Sequence, residues 1–158
     1  MEIKTGQLDH PEILKLLEEH LADMNATSPP ESVHALDVSS LQDESVTFWS
    51  GWKANKLMGC AAIKRLDANH VEIKSMRTSS VARNQGVASL LLQHALDFSR
   101  QEGITRVSLE TGSMGFFAPA RALYEKYGFH YCEPFGDYKL DPNSQFMTLE
   151  LHISDRLP

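Results

Sequence analysis

Cysteine is scarce in this chain: only Cys60 and Cys132 occur among 158 residues, and their spacing is not that of a metal site. With no secretory context, two such thiols read as buried and free rather than as a disulfide or a redox pair. The 7 histidines form no H-x-x-x-H or H-E-x-x-H pair, so no metal is expected. Apolar runs are far too short to cross a bilayer, which argues against a membrane partner. The opening Met-Glu-Ile-Lys-Thr-Gly lacks the basic and apolar regions of a signal peptide, so a cytoplasmic location is expected. Positive charge is also short. Lys and Arg number 15 against 21 Asp and Glu, a net charge of −6, which disfavours nucleic acid as a partner. The same balance suits a cationic amine, and equally suits plain solubility.

What remains is ordinary for one globular domain spanning 1–158, with 42% hydrophobic and 23% charged residues. A short strand at Ile3–Thr5 precedes Asp9-His-Pro-Glu12, which reads as a capped helix start with proline in the first turn. Ile13, Leu17, Leu21 and Met24 then recur on one helical face. Ala26–Pro30 stops that helix, and a short second helix is expected within the polar stretch Glu31–Leu41. Val46–Trp52 and Leu57–Arg65 form a hairpin about the turn Lys53-Ala-Asn-Lys56, and His70–Thr78 adds a third antiparallel strand. A helix over Gly86–Arg100 buries Val87, Leu90, Leu91, Ala95 and Phe98; a strand follows at Arg106–Thr111 and a helix at Pro119–Tyr127. Phe129–Cys132 and Gln145–His152 close the order as strands. The fold class is α/β, one mixed and mostly antiparallel sheet with helices on both faces.

The segment Ser80-Val-Ala-Arg-Asn-Gln-Gly-Val-Ala-Ser-Leu-Leu-Leu92 carries the most information. It reads as a strand exit, an amide-rich turn and an apolar helix. Such a helix start gathers unpaired N–H groups at the positive end of the helix dipole, a setting that suits phosphate. Gly86 lets the backbone approach a ligand, and small Ala88 and Ser89 keep the next turn open. No Gly-Lys-Ser/Thr follows, so it is not a Walker loop, and two of the three glycines of the dinucleotide fingerprint are missing. Downstream stands Ala120-Arg-Ala-Leu-Tyr-Glu-Lys-Tyr-Gly-Phe129. Taken alone, Tyr124 there reads as a packing tyrosine on an amphipathic helix as readily as a functional one.

Together, Arg83-x-x-Gly86-x-Ala88 and the A-x-x-L-Y-x-x-x-G-F element resemble the GNAT superfamily of acetyl-CoA-dependent N-acetyltransferases. The resemblance runs from about Val46 to Leu151 and is weakest over the first 45 residues. It implies acetyl-CoA as cosubstrate, with Arg83, Asn84, Gln85, Gly86, Val87, Ala88 and Ser89 at the pyrophosphate. It also implies that main-chain groups of Met76, Arg77 and Thr78 face the acetyl carbonyl and pantetheine, one N–H acting as oxyanion donor. Tyr124 becomes the general acid toward the departing thiolate. Phe117 stands where the family often has a pantetheine-binding Asn, so that contact falls to another group such as Ser113.

Glu72 matches a glutamate that serves some members as general base; otherwise it is a solvent-facing strand residue paired with Lys74 or Lys64. The run Pro134-Phe-Gly-Asp-Tyr138, with Glu110-Thr111-Gly112, resembles a bacterial subgroup in which these elements face the acceptor. There Asp137 would hold an ammonium, and Phe135 or Tyr138 would wall the pocket. A structural loop with its aromatics at the core edge is the other reading. His34 and His70 are further titratable candidates. Neither cysteine lies in a nucleophile setting, so direct attack by a small-molecule or amino-acid amine in a ternary complex is expected. A protein or peptide N-acetyltransferase and a non-catalytic acyl-CoA-binding module are the alternatives. Members often pair through sheet edges, so a homodimer is among the expectations.

Overall fold

The computed structural model describes residues 1–27, 38–83 and 85–151. Its elements are β1 (Glu2–Thr5), α1 (Pro11–Thr27), α2 (Val38–Leu41), β2 (Val46–Lys53), β3 (Lys56–Arg65), β4 (His70–Thr78), α3 (Val87–Gln101), β5 (Arg106–Gly112), α4 (Ala118–Lys126), β6 (His130–Tyr131) and β7 (Ser144–Glu150). Single 3₁₀ turns at Ser80–Ala82 and Gly115–Phe117 precede α3 and α4. The order matches the sequence reading. Of the expected Glu31–Leu41 helix only α2 is described; the rest of that stretch, His34 included, lies outside the described residues, as do Asn84 and His152.

The seven strands form one sheet in the order β1-β2-β3-β4-β5-β7-β6. Every neighbouring pair is antiparallel except β4 and β5. Side chains alternate across the sheet, so β3 supplies both cores: Ala61 and Ile63 join the cluster under α3 and α4, while Cys60 and Ala62 join the one under α1. With both faces covered, the central strand β3 reads as a near-continuous apolar run from Leu57 to Ile63.

Local details differ from expectation where tertiary contacts decide. The cap of α1 is the His10 ring, whose Nδ1 accepts the Glu12 N–H at 3.2 Å, rather than the Asp9 carboxylate. On α3, Leu90 is 52% exposed, and Leu92 and Leu96 are buried instead. Leu90 lies five residues from buried Ala95, which at about 100° per residue turns it well away from the stripe. Cys60 is buried and free as expected, but Cys132 is only partly buried.

One feature of the sheet creates the site. The parallel pair β4–β5 is in register only over His70–Ile73 and Arg106–Leu109. Beyond those residues β4 stays with β3 as far as Thr78, and β5 stays with β7 as far as Gly112. A bulge at Ser75–Met76, opposite Ala61, bends β4 at the point of departure, and Ser75 takes φ 54°. The sheet is therefore split from Lys74 and Glu110 onward, and the split is lined by both strands.

Candidate active site

Three recesses follow one another along this split, each sharing side chains with the next. The first, about 520 Å³, lies between the end of β4 and the starts of α3 and α4. Met76, Arg77, Thr78, Arg83, Gly86, Val87, Ala88 and Ser89 line it, opposite Phe116, Phe117, Pro119 and Leu123. Gly86 sits at the N-cap of α3 with φ 76° and offers no side-chain cap, which leaves the N–H groups of the first turn facing the recess. No atom lies within 4 Å of where a Cβ on Gly86 would stand. An uncapped helix start, an adjacent guanidinium and an apolar far wall fit a pyrophosphate followed by a pantetheine arm. Gln85 does not line the recess; its amide turns back to the Val81 carbonyl at 3.3 Å.

Phe117 supplies an apolar wall, and its ring lies so close over Gly112 that a Cβ there would stand 2.0 Å from it. Arg121 fixes this corner by donating to the Gly112 and Met114 carbonyls at 2.6 and 3.0 Å. Ser113 is no substitute for a pantetheine-binding amide: its hydroxyl donates to the Pro142 carbonyl at 2.7 Å, and it lines none of the recesses.

The second recess is small, about 120 Å³, and shares Met76, Phe117, Ala120 and Tyr124 with the first. Tyr124 is buried, its hydroxyl 3.8 Å from the Met76 sulfur. Burial, and secondarily Glu110, push its phenol up to about 12. Glu72, Lys74, Ser75, Glu110, Thr111, Gly112 and Tyr138 are among the other residues that line it. Glu72 is 4% exposed rather than solvent-facing. Its Oε2 accepts from the Tyr138 hydroxyl at 2.5 Å and from Lys74 Nζ at 3.2 Å, and Lys74 also donates to the Tyr138 oxygen at 2.9 Å. Tyr138 is thereby driven well above the usual phenol range, first by burial and then by Glu72. Glu110 has no ion pair among the described residues, and burial raises its carboxyl to about 7 against the opposing influence of the Ser144 hydroxyl, with smaller contributions from nearby charges.

The third recess, about 720 Å³, shares Glu72, Lys74 and Tyr138 with the second. Lys64, Arg65 and the run Gly136–Asp141, Asp137 included, form its rim. Phe135 lines no recess; its ring packs against Tyr138 and Phe146 at centroid separations of 5.2 and 6.0 Å. His70 also lies outside, bonded through Nε2 to the Ser108 hydroxyl at 2.7 Å. Both have structural surroundings.

Two groups were missed from sequence. Glu110 was noted only as part of Glu-Thr-Gly, because nothing in the chain order announces its isolation from cations. His20, from α1, lines the first two recesses, and burial followed by Arg77 lowers its pKa to about 4. Its signal was present: it stands three residues after Leu17 and four before Met24, on the apolar face of α1. Next to it Asp23 pairs with the buried Arg77 at 2.8 Å, tying α1 to the end of β4. Neither cysteine lines a recess, and burial pushes the Cys60 thiol up to about 12, so neither is placed to act as an acyl-accepting nucleophile.

A sheet split at one parallel pair, with an uncapped helix start on one side and a buried phenol at the junction, is the arrangement that the resemblance to acyl-CoA-dependent transferases implies. The model of the Acetyltransferase (GNAT) family matches residues 13–129, and the chain belongs to that family. It is 52% identical over 151 residues to the Bacillus subtilis (strain 168) protein described as the uncharacterized N-acetyltransferase YsnE, across 96% of this chain and 100% of the relative. A solved structure of a proposed acyl-CoA N-acyltransferase from Klebsiella pneumoniae superposes with a TM-score of 0.81 at 25% identity, covering 96% of this chain and 97% of the other. A GNAT acetyltransferase from Elizabethkingia anophelis, solved with acetyl-CoA bound, shares the fold at a TM-score of 0.66 and 19% identity, over 95% and 97% of the two chains. The protein is thus an acetyl-CoA-dependent acyltransferase.

Proposed function

We propose that the enzyme moves an acetyl group from acetyl-CoA to a primary amine of a small molecule or amino acid, by direct attack in a ternary complex. The observation that carries this reading is the position of Tyr124 in the wall common to the first two recesses. A donor whose pyrophosphate meets Arg83 and the start of α3, and whose arm runs past Met76–Thr78 and Phe117, brings its thioester to that wall. The acceptor then enters the second recess from the third, past Tyr138 and Asp137.

Glu110 is the proton acceptor in this scheme, and Glu72 positions Lys74 and Tyr138. An incoming amine is an ammonium at neutral pH and must lose one proton before it can attack. Glu72 already accepts from two donors, whereas Glu110 has no cation bound to it and a pKa near the working pH. The free nitrogen lone pair forms the C–N bond, the C–S bond breaks, and the sulfur takes a proton. The nitrogen releases its second proton as the intermediate collapses, so protons balance. A thiol titrates near about 8.5, well below Tyr124, so complete transfer to a formed thiolate is uphill. Tyr124 therefore acts first as a hydrogen-bond donor to charge growing on sulfur.

Calorimetric titration with acetyl-CoA, CoA and dephospho-CoA tests the donor half, and thiol release over an amine panel tests the transfer. Saturable micromolar binding with turnover is expected. Binding without turnover on any amine would leave an acyl-CoA-binding module; no binding at millimolar donor would remove the proposal.

A further inference from the structure

The third recess runs against the charge of the chain. Four of its lining residues are cations, Lys64, Arg65, Lys74 and Lys139, against three carboxylates, Glu72, Asp137 and Asp141, while the chain as a whole carries −6. Most of these groups are engaged. Lys74 and Glu72 hold each other. Arg65 donates to the Ala68 carbonyl at 3.3 Å and lies 3.9 Å from Glu102, beyond the end of α3. Asp141 accepts the Asn143 N–H at 2.8 Å. Lys64, Lys139 and Asp137 make no ion pair among the described residues. Cys60 and Ala62 face α1, so by alternation Lys64 stands on that face too, opposite Glu72 in register. The carboxylate of Asp43, outside the recess, is lowered first by its hydrogen bonds with Ser45 and last by Lys64, with which it forms no ion pair.

We propose that the acceptor carries a carboxylate several bonds from its amine, and that Lys64 and Lys139 hold that carboxylate in the third recess while the amine reaches Glu110 in the second. This rests on the acetyltransfer reading above and narrows its acceptor. An amine arrives as an ammonium, which Asp137 can meet at the rim but which the two lysines repel. Cations at the mouth of an amine site oppose entry unless the substrate brings negative charge of its own. The spacing follows from the sheet. Lys64 lies opposite Glu72, Glu72 lies opposite Ser108, and Glu110 stands two residues farther along β5. Two strand spacings and that rise place Lys64 and Glu110 roughly 12 Å apart along the sheet. A hydrogen bond at each end takes up about half of this distance. The rest exceeds what the single carbon of an α-amino acid supplies and suits a chain such as γ-aminobutyrate. Lys74 and Tyr138, common to both recesses, lie along the path.

The test compares matched acceptors by thiol release: γ-aminobutyrate, its amide and butylamine, with glycine as the short amino acid. The parent should prefer γ-aminobutyrate to its amide by about tenfold in kcat/KM, chiefly through KM, because the amide forfeits a charge-assisted hydrogen bond. Added salt should erode that preference. Lys64→Gln should lower the acid-to-amide ratio by about tenfold, and Lys139→Gln by a smaller factor. The ratio is read within one preparation, so any loss of folded enzyme cancels from it. Three results would each overturn the assignment: equal rates on acid and amide, faster turnover of glycine than of γ-aminobutyrate, and a ratio unchanged in both lysine variants. Turnover of butylamine or other amines but not of γ-aminobutyrate does so as well. A parent that turns over no amine at all refutes instead the acetyltransfer reading itself.

Discussion

Replacing Glu110 by Gln separates its chemistry from its effect on stability, because the two move in opposite directions. The carboxyl is raised from 4.5 to about 7, chiefly by burial. Between those values the folded chain holds a proton that the unfolded chain has released, so folding stability falls as pH rises through the window and the full penalty is present above pH 7. A shift of that size corresponds to at most about 3 kcal/mol. Gln keeps the shape and carries no charge, so Glu110→Gln should gain a part of that stability at pH 8 and almost none at pH 4. Denaturant midpoints at the two pH values read the difference.

Activity should go the other way. General-base removal costs on the order of 100- to 1,000-fold, and kcat/KM of the parent should show an acid limb near pH 7. The groups facing Glu110 that set this limb are Ser144 on β7, Lys74 and Glu72 on β4, Asp141 in the β6–β7 loop, and Tyr124 on α4. At pH 6 roughly a tenth of the carboxyl is ionised, so the parent retains about that share of its plateau rate. In Glu110→Gln the limb should shift up toward the amine's own pKa, with the residual rate rising about tenfold per pH unit. A limb that stays near pH 7 in the variant refutes the assignment, whatever the rate at its plateau.

Three other substitutions probe the surrounding groups. Glu72→Gln should move the acid limb slightly down, because a negative charge that raises Glu110 is removed, and should lower stability by about 3 kcal/mol, because Lys74 loses its buried counter-ion; a limb displaced upward toward the amine's own pKa would return Glu72 to the general-base role read from sequence. Tyr124→Phe should reduce kcat by roughly 10- to 100-fold with acetyl-CoA affinity unchanged by calorimetry; equal turnover ends the case for its donation to sulfur. Gly112→Ala puts a methyl within 2.0 Å of the Phe117 ring and should cost about 1–3 kcal/mol while weakening donor binding; a variant with parental melting temperature and affinity would show that the corner yields freely.

Much of this architecture was legible because its signals are local. Alternation, turn residues and helical spacing gave the strand and helix order. The loop around Gly86 announced an anion site by backbone chemistry that Arg83-x-x-Gly86-x-Ala88 encodes within six residues. Leu90 was misplaced for a reason of the same kind: three consecutive leucines fit the helix in more than one rotation, and the sheet beneath α3 chooses among them. His20 stood out only as a histidine on the apolar face of α1, and Asp23 not at all, because only the packing of α1 onto the end of β4 brings them to Arg77.

The two carboxylates show where reading along the chain stops. Glu72 and Glu110 lie on adjacent parallel strands, Glu72 opposite Ser108 inside the ladder and Glu110 just past its last pair, each two residues or fewer from the point where β4 and β5 separate. Residue type and strand assignment do not distinguish them. What separates them is Tyr138, 66 residues beyond Glu72, whose hydroxyl together with Lys74 occupies that carboxylate. Glu110 has no ion pair among the described residues, so burial outweighs the lowering influence of Ser144 and of the more distant Lys74, and its proton affinity rises toward neutrality. On the scheme proposed above, the division of labour between a positioning carboxylate and a proton-accepting one would be set by the β6–β7 loop rather than by either strand. It follows that Tyr138→Phe, a change remote in sequence from both, should alter the pH profile through the freed Glu72 carboxylate. A second acid limb in that variant is the expected result, and a profile identical to the parent's would mean that Lys74 alone holds Glu72.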